Sequence, residues 1–418
     1  MADSTNGALR DIPYMGVIYV VAEAMKLGFY NGHPDWCNLG QGQPEIGEME
    51  GAPPRFDQLK MEPTDHAYGH INGTTELCEA IAAHYNRLYR QGKSQYTSAN
   101  VSVASGGRLV LTRIFAALKA GAIGYQVPDY TAYEDMFNYN MPRITPTLIE
   151  TKAEDGFSVL AATLREKVAE HDLNAYLLSN PCNPTGSVVQ GDELAEYCNI
   201  ARDTGCAMIF DEFYSHFMYT KDGQPANGPV SAATYVDDVD KDPILLIDGL
   251  TKSFRYPGWR VGWAVGPTDM IETLGRAASA IDGGPNQPIQ RAAIEILKPE
   301  RADQETTAVR NIFCAKRNLM IEKLKELGLT FANETEGTFY VWANISKLPA
   351  PFNNAEHFFR EALKRKVMTV PGVYFDVNPG KERTGESPFA QWLRFSFGPP
   401  MDNVKMGLER LAEMLSGA

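Results

Sequence analysis

The sequence predicts an α/β fold: a large domain built on a mostly parallel sheet, followed by a smaller α+β domain. Three observations predict it. Short, continuously apolar runs recur through the first two thirds of the chain, as strands covered on both faces require. Helical patterns separate them, which is the alternation that gives a parallel sheet. After about residue 290 the pattern changes to long helices and half-buried strands.

In chain order, the candidate strands are VSVAS (101–105), IGYQVP (123–128), the weaker ITPTLIE (144–150), AYLLSNP (175–181), AMIFDEFY (207–214), ILLIDGLT (244–251) and VGWAVGP (261–267). Between them, ELAEYCNIARDTG places Leu194, Cys198 and Ala201 on one helical face, with Gly205 as its C-cap. Beyond residue 290 one long helical segment runs through IQRAAIEIL and past KRNLMIEKLKELG. Three strand-like pieces follow, GTFYVWANI, VMTVPGVYF and QWLRFSFG, and the helix DNVKMGLERLAEMLSG closes the chain. The expected division is an N-terminal segment 1–45, a large α/β domain 46–290 and a small α+β domain 291–418. The N-terminal segment could join the small domain or cross to a partner subunit. In sheets of this kind, ligands bind at the carboxyl ends of the strands.

Composition narrows the function. The 418 residues are 44% hydrophobic and 22% charged, which is ordinary for a globular chain with a substantial core. A net charge of −13 argues against nucleic acid or an anionic membrane as the main partner. The six cysteines form no CxxC pair and read as free thiols in a reducing compartment. The start has no basic region followed by an apolar run, and no stretch approaches about 18 uninterrupted apolar residues. The expected setting is cytoplasmic.

Several motifs fail. NLGQGQPEIGEMEG lacks the third glycine spacing of a dinucleotide fingerprint. QGKS has Arg87 where a phosphate loop needs its first glycine. No HExxH pair and no G-x-S-x-G elbow occurs, so zinc hydrolysis and the serine-hydrolase elbow lack support.

Four pieces remain. SGGR, Ser105 to Arg108, is a glycine turn at a helix start, where free N–H groups and the helix dipole suit a phosphate. It could equally be a tight turn without a ligand. SNPCNPTG is a rigid turn that can present Asn183 inward, or simply a rigid loop. FDEFYSHF puts Asp211 and Tyr214 at the end of an apolar strand; a carboxylate there needs a partner or caps a helix. GLTKSFRYPGWRVGW carries Lys252 at the end of another apolar strand, with Arg260 after it. A lysine there is either neutral or paired when buried, or solvated.

In this order and spacing the four pieces resemble the fold-type I pyridoxal-phosphate enzymes, and among them the class I/II aminotransferase family. The resemblance spans about Gly40 to Arg394 and rests on NPTG, the DExY motif and the lysine–arginine segment. It implies a seven-stranded, mostly parallel sheet and pyridoxal 5'-phosphate as cofactor. By the same resemblance Lys252 carries the cofactor, and Asp211 pairs with its ring nitrogen. Asn183 and Tyr214 bond its phenolic oxygen, and Arg260 takes the phosphate with the amides of Gly107 and Arg108. Tyr130 stacks on the ring or is a core tyrosine, and Tyr133 reads as packing. Tyr68 matches a tyrosine that reaches the neighbouring subunit's phosphate, implying a homodimer with shared active sites. Arg394 matches the arginine that grips the substrate α-carboxylate, and Gly42 lines that pocket, with Asn183 beside it.

The chain departs from the family at Gly249 and Thr251, where serines are common, and at Phe213, bulky for its place. Ser105 or Ser253 could replace a lost hydroxyl. Glu45, Arg255, His216 and Asn286 are possible pocket residues that also have structural readings. The implied function is transamination between an α-amino acid and a 2-oxo acid. The same core motifs also serve relatives that carry out β- or γ-elimination, replacement, cyclisation or oxidation. A catalytically silent binding domain on this fold would be expected to lose Lys252 or Asp211.

Overall fold

The computed structural model describes residues 12, 14 and 16–417. The chain begins with helix α1 (Gly16–Lys26) and the short strand β1 (Cys37–Asn38). It continues through α2 (Thr75–Tyr89), β2 (Val101–Ala104), α3 (Gly107–Ala117), β3 (Gly121–Gln126), α4 (Ala132–Asn140), β4 (Ile144–Ile149), α5 (Ala161–His171), β5 (Leu173–Ser179), α6 (Gly191–Thr204) and β6 (Ala207–Asp211). Then come β7 (Ile244–Gly249), β8 (Gly262–Val265) and α7 (Thr268–Ile281). All seven candidate strands join one seven-stranded sheet, in the order β2-β8-β7-β6-β5-β3-β4. Only β8 runs against its neighbours.

Strand period explains why the central runs are apolar throughout. Ile209, Leu245, Ile247 and Leu177 pack on one face of the sheet, while Met208, Phe210, Leu246 and Leu178 pack on the other. Helix α6 ends as expected at Gly205, whose φ of 74° lies in the left-handed region.

The C-terminal part holds α8 (Gln287–Ile296), α9 (Pro299–Glu326), β9 (Tyr340–Asn344), α10 (Ala355–Lys364), β10 (Val367–Met368), β11 (Val370–Pro371), β12 (Trp392–Ser396) and α11 (Met401–Ser416). The expected single helical segment after residue 290 is two helices. The break falls before Pro299, which cannot donate into a continuing helix and instead occupies the first turn of α9. VMTVPGVYF also divides. Its first half, β10, pairs in parallel with β1, Cys37 opposite Val367, while β11 pairs with β12 in a three-stranded sheet β11-β12-β9. The N-terminal strand therefore packs with C-terminal elements; residues 1–11 of the expected N-terminal segment, with 13 and 15, lie outside the described residues. No described helix is long and apolar enough to cross a membrane, and all six cysteines are unpaired and buried.

Candidate active site

A cavity of about 330 Å³ opens where β3, β5, β6 and β7 end and the C-terminal sheet faces them. It brings together Gly42, Gly107, Arg108, Tyr130, Asn183, Asp211, Tyr214, Lys252, Arg260 and Arg394. Tyr68 is not among its lining residues; it is fully exposed.

Each side chain is delivered by a local device. Asp211 is the last residue of β6, held between Ser179 and Ile247. Asn180 ties the turn after β5 by exchanging two 2.9 Å bonds with the backbone of Val189, which fixes the approach to Asn183. The loop after β7 is closed by the amide of Leu250 on Val261 O and the amide of Tyr256 on Leu250 O, and Lys252 projects from it. Helix α3 starts at the cavity wall with no side chain capping it. Its N-cap, Gly106, has φ 95° and lies so near the Arg260 guanidinium that a Cβ would collide with it.

The electrostatics follow from burial. The Lys252 amine donates to the carbonyl of Gly42. Burial disfavours its charge, and the guanidinium groups of Arg394, Arg260 and Arg108 push the same way, bringing the amine down to about 7. Asp211 is raised to about 6, again chiefly by burial, although Tyr133 and Lys252 oppose the shift. Arg394 is fully buried. Its guanidinium donates to Asn183 Oδ1 at 2.7 Å and to Gly40 O at 2.6 Å, leaving Nε without a partner.

Sequence reasoning missed three residues. Tyr133, read as packing, donates its hydroxyl to Asp211 Oδ2 at 2.9 Å. Tyr340 lines the cavity from β9 and shares a 2.6 Å hydrogen bond with the Tyr214 hydroxyl. Asp129 is buried, accepts from the Tyr130 amide and the Ser179 hydroxyl, and through Ser179 Oγ holds the Asn183 amide. Only an aromatic or acidic residue beside a strand end marked these positions, and such residues are common.

Tyr130 is partly buried; its hydroxyl accepts from Arg108 Nε at 3.1 Å and its ring meets Tyr133 edge-on. Glu45 pairs with Lys316, Arg255 with Glu305, and Asn286 caps α8. None of them, nor His216, lines the cavity. Thr251 does, and its hydroxyl is buried without a partner, whereas Ser253 sits 3.4 Å from Phe213 O.

The glycine at 249 has a steric cause. A Cβ there would collide with the Val261 carbonyl and lie 2.8 Å from Gly262 Cα and 3.0 Å from the Phe213 ring. Gly249→Ser is therefore expected to destabilise the fold by roughly 1–3 kcal/mol, as overpacking does; thermal unfolding checks this, and an unchanged melting temperature would contradict it.

The sequence model of the family described as aminotransferase class I and II matches residues 34–411. The chain belongs to that family. A probable aspartate/prephenate aminotransferase of Aquifex aeolicus is 27% identical over 354 residues, 83% of each chain. The LL-diaminopimelate aminotransferase of Halothermothrix orenii is 26% identical over 396 residues, covering 94% of this chain and 93% of the relative. Among solved structures, the aspartate aminotransferase from Thermus thermophilus with maleate aligns over 97% of this chain and all of its own, with a TM-score of 0.78 at 22% identity. This aminotransferase-family enzyme has the fold of that structure.

Proposed function

We propose that the chain binds pyridoxal 5'-phosphate on Lys252 and transfers an amino group between an α-amino acid and a 2-oxo acid. The carrying observation is the desolvated Lys252 amine, brought near neutrality inside a cavity that also holds a buried carboxylate and three guanidinium groups. The residues present fit the cofactor. The uncapped start of α3, the Thr251 hydroxyl without a partner and Arg260 make an anion cradle. The buried Asp211 suits a protonated ring nitrogen, and Tyr214 and Asn183 suit a phenolic oxygen. When bound, pyridoxal phosphate supplies an electron sink for bonds at the substrate's α carbon.

The chain's residues do the rest. Lys252, a large fraction of it neutral near pH 7, is a nucleophile and then carries the proton to and from the substrate α carbon. Asp211, steadied by Tyr133, keeps a proton on the cofactor's ring nitrogen. Arg394 takes the substrate α-carboxylate bidentately, exchanging its bonds to Asn183 and Gly40. Gly42 must lack a side chain, since a Cβ would collide with the Tyr340 hydroxyl and lie 3.5 Å from Lys252 Nζ.

Arg108 is a second guanidinium for the substrate's far end: its amide serves the cradle while its side chain stands exposed in the cavity. A dicarboxylic substrate fits, and several relatives are named aspartate aminotransferases. Arg108→Met is expected to lower kcat/KM for aspartate by roughly 10–100-fold, the loss of one charge-assisted contact, with a smaller loss for alanine through its effects on Lys252 and Tyr130. Equal losses for both donors would contradict the assignment.

The exposed Tyr68 supports a homodimer in which this tyrosine reaches the partner's site. Residues 1–45 are read as belonging with the small domain 291–418, against the large domain 46–290. Unpaired cysteines support a cytoplasmic setting. Reduction with borohydride followed by peptide mass analysis tests the central point: the cofactor should be fixed to the Lys252 peptide, and attachment elsewhere would overturn the reading.

A further inference from the structure

Tyr340 occupies a place that packing alone does not require. It opens β9, which pairs antiparallel with β12, and Arg394 lies opposite Trp342, two residues along the strand. Side chains two apart share a face, so Tyr340 and Arg394 are diagonal neighbours facing the cavity. The Arg394 guanidinium carbon sits 4.0 Å above the Tyr340 ring centroid. The Tyr340 hydroxyl makes its 2.6 Å bond with the hydroxyl of Tyr214. The residue is fully buried, and its backbone is pinned by Thr335 Oγ1 on its carbonyl and by its amide on Thr338 Oγ1.

We propose that Tyr340 is a positioning residue that couples carboxylate capture at Arg394 to the hydrogen-bond strength of Tyr214. This rests on the cofactor reading above. A cation over the ring face makes the Tyr340 phenol a stronger donor, because it favours negative charge on the phenol oxygen. With Tyr340 donating, the Tyr214 oxygen is polarised and its own hydrogen becomes a stronger donor in turn. That hydrogen is the one the reading above directs at the cofactor's phenolic oxygen, and its donation drains electron density from the nitrogen held by Lys252. When a carboxylate neutralises Arg394, the chain relaxes, and that nitrogen gains proton affinity as substrate arrives. The direct field of Arg394 at Lys252 and its 2.7 Å bond to Asn183 act with the same sign, so the relay is the part that depends on the two hydroxyls.

The test is a pH titration of the visible absorption band of the holoenzyme, with and without saturating maleate. It compares wild type, Tyr340→Phe, Tyr214→Phe and the double variant. Tyr340→Phe is expected to raise the transition by roughly a few tenths of a pH unit without maleate, because the Tyr214 bond to the deprotonated form is weakened rather than lost, and to shrink the maleate-induced rise. The double variant should titrate like Tyr214→Phe alone. Tyr340→Phe matching wild type in both conditions would overturn the relay, as would a double variant showing both shifts in full. If Tyr340→Phe does not retain cofactor, Tyr214→Phe decides, because its maleate shift must also shrink. A wild-type band that ignores maleate contradicts both the relay and carboxylate capture at Arg394, whereas no visible band contradicts the cofactor reading itself.

Discussion

Replacing Lys252 with alanine is expected to lower kcat by roughly 10⁴-fold or more, the scale of losing a positioned general base that is also the nucleophile. Lys252 is the only lysine among the described residues lining the cavity, and no histidine lines it. Asp211 cannot substitute, because its carboxylate accepts from Tyr133 and is committed to the ring nitrogen rather than to the substrate α carbon. The fold should survive the change. Removing the amine relieves its desolvation cost while the Gly42 carbonyl loses its donor, so the net change in stability should be small. Initial rates with an amino donor and 2-oxoglutarate, taken beside a melting curve, check both halves. A variant that keeps a tenth of the activity would move the base elsewhere.

Arg394→Ala is expected to lower kcat/KM on the order of 10²–10³-fold, mainly through KM, because it removes a fully buried bidentate partner for a carboxylate. The structure adds a second consequence. Asn183 Oδ1 and Gly40 O lose their donor, and each buried acceptor left without one costs about 1–3 kcal/mol. Melting temperature should therefore fall along with affinity. Arg394→Lys should recover little of the affinity, since an ammonium cannot reproduce the planar fork. An unchanged KM in Arg394→Ala would remove it from the carboxylate role.

Much of the fold was legible because of how the strands are buried. A strand covered on both faces is apolar at every position, as AMIF and ILLI are, and these runs, with the weaker edge strand ITPTLIE, became part of the central sheet. Lys252 and Asp211 stood out for the same reason: a charge ending an apolar strand demands an explanation. What escaped the sequence was contact between distant elements. Nothing in the chain tells that the Tyr133 hydroxyl meets Asp211, or that Tyr340 meets Tyr214, because those contacts exist only once the sheet and the C-terminal strands are assembled. The division of VMTVPGVYF escaped for a related reason. Its first half is claimed by a parallel partner from the N-terminal segment, far away in sequence. Gly249 was visible as a departure, but its cause, the carbonyl of Val261 across the strand pair, was not.

The most direct measurement is the absorption spectrum of the purified holoenzyme titrated with single amino acids, with the products identified. Conversion of the visible band to the amino form of the cofactor, with one 2-oxo acid released per site and aspartate among the best donors, is the predicted result. A product that has lost its substituent while the cofactor returns unchanged would contradict transamination and indicate elimination or replacement at the same lysine.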